Sequence, residues 1–128
     1  MSRYTVVVTD HRFGDLAIER EGLSGLADLE ELAEDRARAL DQLAGADAVI
    51  NLVRPFDEGM VDVLPSDCRV IARYGIGVDN IAVDAATARG IPVVNDPDYC
   101  VEEVATHAVA MILSLARRLK PYDAAMAD

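Results

Sequence analysis

The strongest constraint on the fold is an alternation of short apolar runs with segments of helical character. Three of the runs, Tyr4–Thr9, Ala46–Val53 and Arg69–Tyr74, are typical of strands buried on both faces of a parallel sheet. A fourth run, IPVVN, ends at Asn95 and is also interpreted as a strand. Strands that alternate with helices predict an α/β fold with a doubly wound parallel sheet of about five strands.

Local start and stop signals delimit the helices between these strands. Residues 35–44 have the apolar spacing of an amphipathic helix that begins near Asp35. A short helix is predicted in DEGMVDVL, which Pro65 ends. A compact helix at residues 83–89 is closed by Gly90.

Two further segments complete the predicted organisation. Residues 24–34 are ambiguous because leucine and glutamate favour a helix, but the β-α-β rhythm predicts a strand near Ala27–Leu32. Residues 101–119 predict one strong helix, acidic at its start and basic at its end. Its middle is apolar nearly all round, yet it is too short and too interrupted to span a membrane, so we interpret it as a buried helix. We expect any domain boundary near Asp98–Val101.

Composition limits the classes of function. A chain of 128 residues favours one domain, or one domain with a short appendage. Its formal charge of -11 repels phosphate backbones and anionic lipid surfaces, so no nucleic-acid or membrane partner is expected. Eleven of the twelve basic residues are arginine. A GC-rich genome and adaptation to high salt would explain this preference equally well.

The cysteines, the histidines and the N-terminus carry little functional signal. Cys68 and Cys100 lie too far apart for a CxxC motif, and we interpret both as structural thiols in a reduced compartment. The N-terminus lacks a signal-peptide pattern, so a cytoplasmic location is expected. No partner spacing predicts a metal-binding or catalytic role for His11 or His107, and we expect His107 to be a satisfied helical residue.

The most informative segment is RYGIGVDN, residues 73–80, which follows a predicted strand at the carboxyl edge of the sheet, where open α/β sheets bind ligands. The two glycines allow consecutive amides of Gly75, Ile76 and Gly77 to point into one concavity and bind an anion such as a carboxylate. The segment is not the dinucleotide fingerprint GxGxxG, because Asn80 stands where the third glycine would be. A tight turn without a ligand remains the alternative.

Two arginines end predicted strands near this segment. Arg54 and Arg73 can reach the same crevice, where a planar guanidinium grips a carboxylate with two parallel hydrogen bonds. Ordinary surface charge is the alternative for each of them.

The residues from 69 to 119 carry a resemblance to a known family. The segment RVIARYGIGVDNIAVDAATARGIPVVNDPDYCVEEVATHAVAMILSLARRL resembles the D-isomer-specific 2-hydroxyacid dehydrogenases, including phosphoglycerate and glycerate dehydrogenases. The segment VRP at residues 53–55 resembles them more loosely. The resemblance implies a flavodoxin-like substrate domain, a Rossmann domain inserted after it, and a cleft in which NAD exchanges hydride with a D-2-hydroxy acid.

The resemblance also implies roles for individual residues. Residues 75–77 match the loop whose amides hold the substrate carboxylate, and Arg54 and Arg73 match positions near the substrate. Ile76 also matches a position that touches the dinucleotide, as does Val104.

The resemblance further implies what this chain lacks. Family members often carry an aspartate at the position of Ala82, so the helix that follows is expected to be less well capped. The phosphate-binding loop, the acidic residue that selects NAD and the catalytic arginine, glutamate and histidine of the family would all lie beyond residue 128. We therefore assign no catalytic and no metal-binding residue.

The expected organisation follows from these matches. Residues 1–100 would be a substrate-binding domain, and residues 101–128 the start of a truncated NAD-binding domain. We expect the chain to be the substrate-binding portion of an NAD-dependent D-2-hydroxyacid dehydrogenase. We expect it to be inactive alone and to self-associate through residues 101–119. Two alternatives stay open. The chain could be a non-enzymatic α/β domain that binds a carboxylate or has a regulatory role, or it could be a subunit that a partner chain completes.

Overall fold

Five parallel strands form one sheet in the computed structural model, which describes residues 4–127. The strands are β1 (Tyr4–Val8), β2 (Ala27–Glu31), β3 (Ala48–Asn51), β4 (Val70–Arg73) and β5 (Val93–Val94), in the order β2-β1-β3-β4-β5. This is the order of flavodoxin-like doubly wound sheets. The predicted fold class is confirmed, and so is the strand at β2 that the β-α-β rhythm predicted against local helix propensity.

Four helices connect the strands: α1 (Ala17–Gly22), α2 (Arg36–Leu43), α3 (Glu58–Asp62) and α4 (Val83–Ala88). The last three were predicted from sequence. α1 was not, because it buries none of its residues and so lacks the apolar stripe that marks a helix in sequence.

The ends of these helices follow their local sequence. The carboxylates of Asp35 and Asp57 accept backbone hydrogen bonds at 2.9 and 3.0 Å and cap α2 and α3. Ala82, the residue that precedes α4, provides no side-chain cap, as the departure from the family pattern predicts. Gly90 has a φ of 72° and ends α4.

The core lies between one face of the sheet and helices α2–α4. Val7, Val49 and Ile71 come from three neighbouring strands, are fully buried and stand in register with one another. Leu43 of α2 and Val61 of α3 belong to the same buried cluster. This packing fixes the carboxyl ends of β1, β3 and β4, where the loops of interest begin.

Cys68 is buried and Cys100 is half-buried, and both are free thiols. Burial raises the pKa of the Cys68 thiol, which makes it less reactive.

The chain from Asp98 onward forms a separate unit with two helices, α5 (Val101–Ala116) and α6 (Leu119–Ala127). The prediction of one helix over residues 101–119 was wrong at its end, because Arg118 adopts a φ of 52° and its amide bonds back to Leu115. Such a left-handed residue terminates a helix. α5 buries none of its residues, so its predicted burial stays a prediction. No helix within residues 4–127 is long and apolar enough to cross a membrane.

A candidate anion site at the carboxyl edge of the sheet

The loop after β4 is held in a conformation that requires glycine. Gly75 has a φ of 123°, which side chains rarely tolerate. Its amide donates to the carbonyl of Arg73 at 3.0 Å, and its carbonyl accepts from the amide of Asp96 at 3.1 Å. The Gly75 amide is therefore occupied, and the three-amide arrangement expected from sequence is reduced to two.

The next two residues keep their amides available. Asn95 Nδ2 donates to the carbonyl of Ile76 at 2.7 Å and holds this part of the loop. A Cβ on Gly77 would lie 2.8 Å from Oδ1 of the exposed Asp79, so a side chain there would require the Asp79 carboxylate to move. Within residues 4–127, no hydrogen-bond acceptor is bound to the amide of Ile76 or of Gly77. Two adjacent donors at one turn are suited to bind an anion.

Arg73 adds an unsatisfied cation to the same segment. Its Nε is buried and has no hydrogen-bond partner among the described residues. A buried donor without a partner is destabilising by about 1–3 kcal/mol, and by more when it is charged. Arg73 is therefore the candidate cation of this segment.

Arg54 lies in a different part of the edge. It lines a crevice of about 390 Å³ at the ends of β1 and β2, together with His11, Glu31 and Glu34. Its guanidinium donates to the carbonyl of Ala33 at 3.1 Å. Neither Arg73 nor the residues 75–77 belong to the described lining of this crevice, so it does not bring the two arginines together.

The loops that carry the two arginines are nevertheless joined. Asn80 Nδ2 donates to Asn51 Oδ1 at 2.6 Å and to the carbonyl of Arg54 at 3.2 Å. Phe56 and Ile81 form a parallel bridge between the loops after β3 and β4. The carboxyl edge is therefore one connected structure.

Sequence reasoning missed the polar residues that build this edge. Asp10 accepts hydrogen bonds from the amides of residues 52–54, and Asn51 is fully buried. Asn80 was noted only as a missing third glycine. A usable signal was present, since Asp10 directly follows an apolar run and Asn51 interrupts the apolar run from Ala48 to Val53.

The remaining candidates lie outside this network. His11 Nε2 is 3.5 Å from Glu31 Oε2, and His107 is exposed on α5 without a protein hydrogen bond in the described chain. Val104, on the same helix, has 62% of its surface exposed. No cluster of three or more potential metal ligands occurs among the described residues.

The sheet order, the free amides and the arginines define an α/β domain of the flavodoxin-like class that is suited to bind a small anion. Over residues 6–125, the chain matches the family model described as "D-isomer specific 2-hydroxyacid dehydrogenase, catalytic domain". The chain belongs to the D-isomer-specific 2-hydroxyacid dehydrogenase family.

Individual relatives agree with this assignment. A D-3-phosphoglycerate dehydrogenase of Mycobacterium leprae is 39% identical over 94 residues, which are 72% of this chain and 17% of the relative. A glyoxylate reductase of Pyrococcus furiosus is 35% identical over 70% of this chain and 27% of its own length. The crystal structure of an Aquifex aeolicus D-lactate dehydrogenase with NAD and lactic acid superposes with a TM-score of 0.76 at 29% identity, over 92% of this chain and 35% of that one. The chain thus spans only a minor part of the length of each relative.

Proposed function

We propose that this chain is the substrate-binding portion of an NAD-dependent D-2-hydroxyacid dehydrogenase. In this proposal residues 1–100 bind a small 2-hydroxy or 2-oxo acid, and residues 101–128 begin the domain that binds NAD. The protein would act in the cytoplasm, with neither nucleic acid nor membrane as a partner.

The observation that carries the proposal is the pair of free amides next to an unpartnered cation. The amides of Ile76 and Gly77 have no acceptor in the described chain, and the buried Nε of Arg73 has none either. A carboxylate has two oxygens that accept hydrogen bonds from several donors at once. An acid held there by its carboxylate would replace water at the two exposed amides and lie in the same loop segment as the Arg73 guanidinium. In our proposal Arg54, whose Nη1 donates to the carbonyl of Ala33, contacts the same acid from the neighbouring crevice with its remaining guanidinium donors.

The cofactor would meet this part of the protein through apolar contacts. Ile76 is 45% exposed and Val104 62% exposed, so both side chains are available to a dinucleotide. The nicotinamide supplies hydride transfer to or from the carbon that bears the oxygen. The described residues include neither a GxGxxG loop nor a group that we assign to proton transfer. We therefore expect the 128-residue chain alone to bind NAD weakly and to be inactive.

The exposed apolar surface of α5 supports a proposal of self-association through residues 101–119. Leucine, isoleucine and methionine side chains on this helix are 51–79% exposed: Met111, Ile112, Leu113 and Leu115. Apolar surface of this kind marks interaction sites. In the complete protein the remainder of the NAD-binding domain would cover part of it.

Titration of the ¹⁵N-labelled chain with glycolate tests the binding proposal. We expect localised shifts of the Ile76 and Gly77 amides, with a Kd of about 1 mM, since only a few charge-assisted hydrogen bonds form in an open site. Arg73→Met should abolish them. Arg69→Met is the control, because it removes the same charge at the opposite end of β4, where Arg69 packs over the ring of Tyr4. No localised shift at 20 mM glycolate would refute the site.

Sequencing the gene past the codon for Asp128 tests the enzymatic part of the proposal. An in-frame GxGxxG motif within a few dozen codons supports a dehydrogenase. A stop codon instead favours a non-enzymatic carboxylate-binding domain or a subunit completed by a partner chain.

A further inference from the structure

We propose that Asp10 is a positioning residue, which fixes the loop after β3 and thereby sets where the Arg54 guanidinium meets the acid. The inference rests on the proposed function, in which Arg54 contacts the substrate. Asp10 follows β1 and Arg54 follows β3, and these strands are neighbours in the sheet although they are far apart in sequence.

Three consecutive amides after β3 point at the Asp10 carboxylate. Oδ1 accepts from the amide of Leu52 at 3.1 Å, and Oδ2 accepts from the amides of Val53 at 2.9 Å and Arg54 at 3.1 Å. An ionised carboxylate accepts only and has lone pairs for about four hydrogen bonds. It therefore matches three amide donors that have no other partner within residues 4–127.

The carbonyl of Arg54 is held as firmly as its amide. It accepts from Asn51 Nδ2 at 2.9 Å and from Asn80 Nδ2 at 3.2 Å. Because both backbone polar groups of Arg54 are fixed, the direction in which its side chain leaves the loop is fixed too. The hydrogen bond from the guanidinium to the carbonyl of Ala33 then orients the far end of the side chain.

The charge of Asp10 is maintained by its surroundings. Partial burial by itself raises the pKa of this carboxyl, but hydrogen bonds from Val53, Thr9, Leu52 and Arg54 outweigh that effect and lower the pKa below its usual value. Asparagine at this position would keep the shape of the side chain. It would lose the charge and turn one of the two acceptor oxygens into a donor that faces backbone amides.

The experiment compares the 128-residue chain with its Asp10→Asn variant in a glycolate titration followed by NMR. The Nε–Hε resonance of Arg54 reports on the guanidinium, and the Gly77 amide reports on the loop after β4. In Asp10→Asn we expect the Arg54 shift to be lost and the Kd to rise about tenfold, the loss of roughly one charge-assisted hydrogen bond. The Gly77 shift at saturation should persist.

Asp15→Asn is the matched control. It removes the same charge from the same loop after β1, and its carboxylate also accepts a backbone amide, that of Ala17 at 3.0 Å. The amides of residues 52–54 donate to the Asp10 carboxylate and not to the carboxylate of Asp15. We expect a wild-type Kd and a wild-type Arg54 shift for this variant.

Each result decides the inference. An unchanged Arg54 shift and Kd in Asp10→Asn overturns it and leaves the proposed function intact. A wild-type chain in which Gly77 shifts and Arg54 does not also overturns it, and it removes Arg54 from the proposed binding site while binding at residues 76 and 77 stands. A wild-type chain with no shift at either residue overturns the proposed function as well. If Asp10→Asn does not fold, Asp10→Glu decides, since it keeps the charge but lengthens the side chain and displaces the carboxylate from the amides of residues 52–54. Loss of the Arg54 shift in that variant supports the inference, and retention of the shift with a wild-type Kd overturns it.

Discussion

The sheet unit and the helical unit of this chain treat their apolar residues in opposite ways. The sheet unit buries an aliphatic row from three strands under α2–α4, and α5 leaves most of its large apolar side chains in water. The first unit closes its own core and holds its candidate site on rigid strand ends. The second contains a helix with an apolar composition and no buried residue. An apolar sequence predicts that a segment is buried, and in α5 that prediction stays open because none of its residues is buried.

The contrast is tested most strongly by one substitution made in both units. Leu43 is fully buried and Leu115 is 79% exposed. Leu43→Ala should lower the free energy of unfolding by about 2–5 kcal/mol, and Leu115→Ala should change it by less than about 0.5 kcal/mol at protein concentrations too low for self-association. Urea denaturation followed by circular dichroism measures both. Equal losses at the two positions would show that α5 is packed as tightly as the core.

The apolar surface of α5 is tested by introducing charge. Met111→Glu combined with Leu115→Glu should weaken self-association by about 3 kcal/mol or more, because burying each such side chain contributes about 1.5–3 kcal/mol. Sedimentation velocity at several protein and salt concentrations measures the change. A wild-type chain that remains monomeric at high concentration, with stability equal to that of the double variant, would contradict association through this helix.

The rigidity of the sheet unit's loop is tested at Gly75. Gly75→Ala places a side chain at a φ of 123° and should destabilise the fold by about 1–3 kcal/mol while weakening glycolate binding. Gly14→Ala is the control, because a Cβ there meets no atom within 4 Å and the φ of Gly14 is not positive. Comparable effects from the two substitutions would argue against a loop conformation specific to glycine.

The smallest expected effect is a pH dependence that originates at Asp10. The pKa of this carboxyl is lower in the folded chain than its usual value of 3.8, so its contribution to stability is present above pH 3.8 and is lost as pH falls through the folded pKa. The difference in unfolding free energy between wild type and Asp10→Asn should be constant near neutral pH and shrink in acid. A difference that stays constant down to pH 2.5 would mean that Asp10 ionises in the same way in the folded and unfolded chain.

Much of the fold is encoded locally and was predicted for that reason. The apolar run that forms β1 and the capping aspartate of α2 act through neighbouring residues, which a reading of the sequence detects. β2 was found only through the β-α-β rhythm, since its leucine and glutamate residues favour a helix. α1 and the end of α5 were missed, because a helix without a buried face and a left-handed arginine leave no periodic signal.

The candidate site divides in the same way. The sequence by itself determined that a glycine-containing loop follows β4 and that arginines follow or end two strands, because these depend on the order of residues along the chain. Only the tertiary structure decided that the Gly75 amide is occupied, that Arg54 and Arg73 line different parts of the edge, and that Asp10 holds the loop of Arg54. The physical reason is that parallel strand order and register bring loop ends together across more than 40 residues of sequence, and hydrogen bonds between them form only after the sheet has assembled.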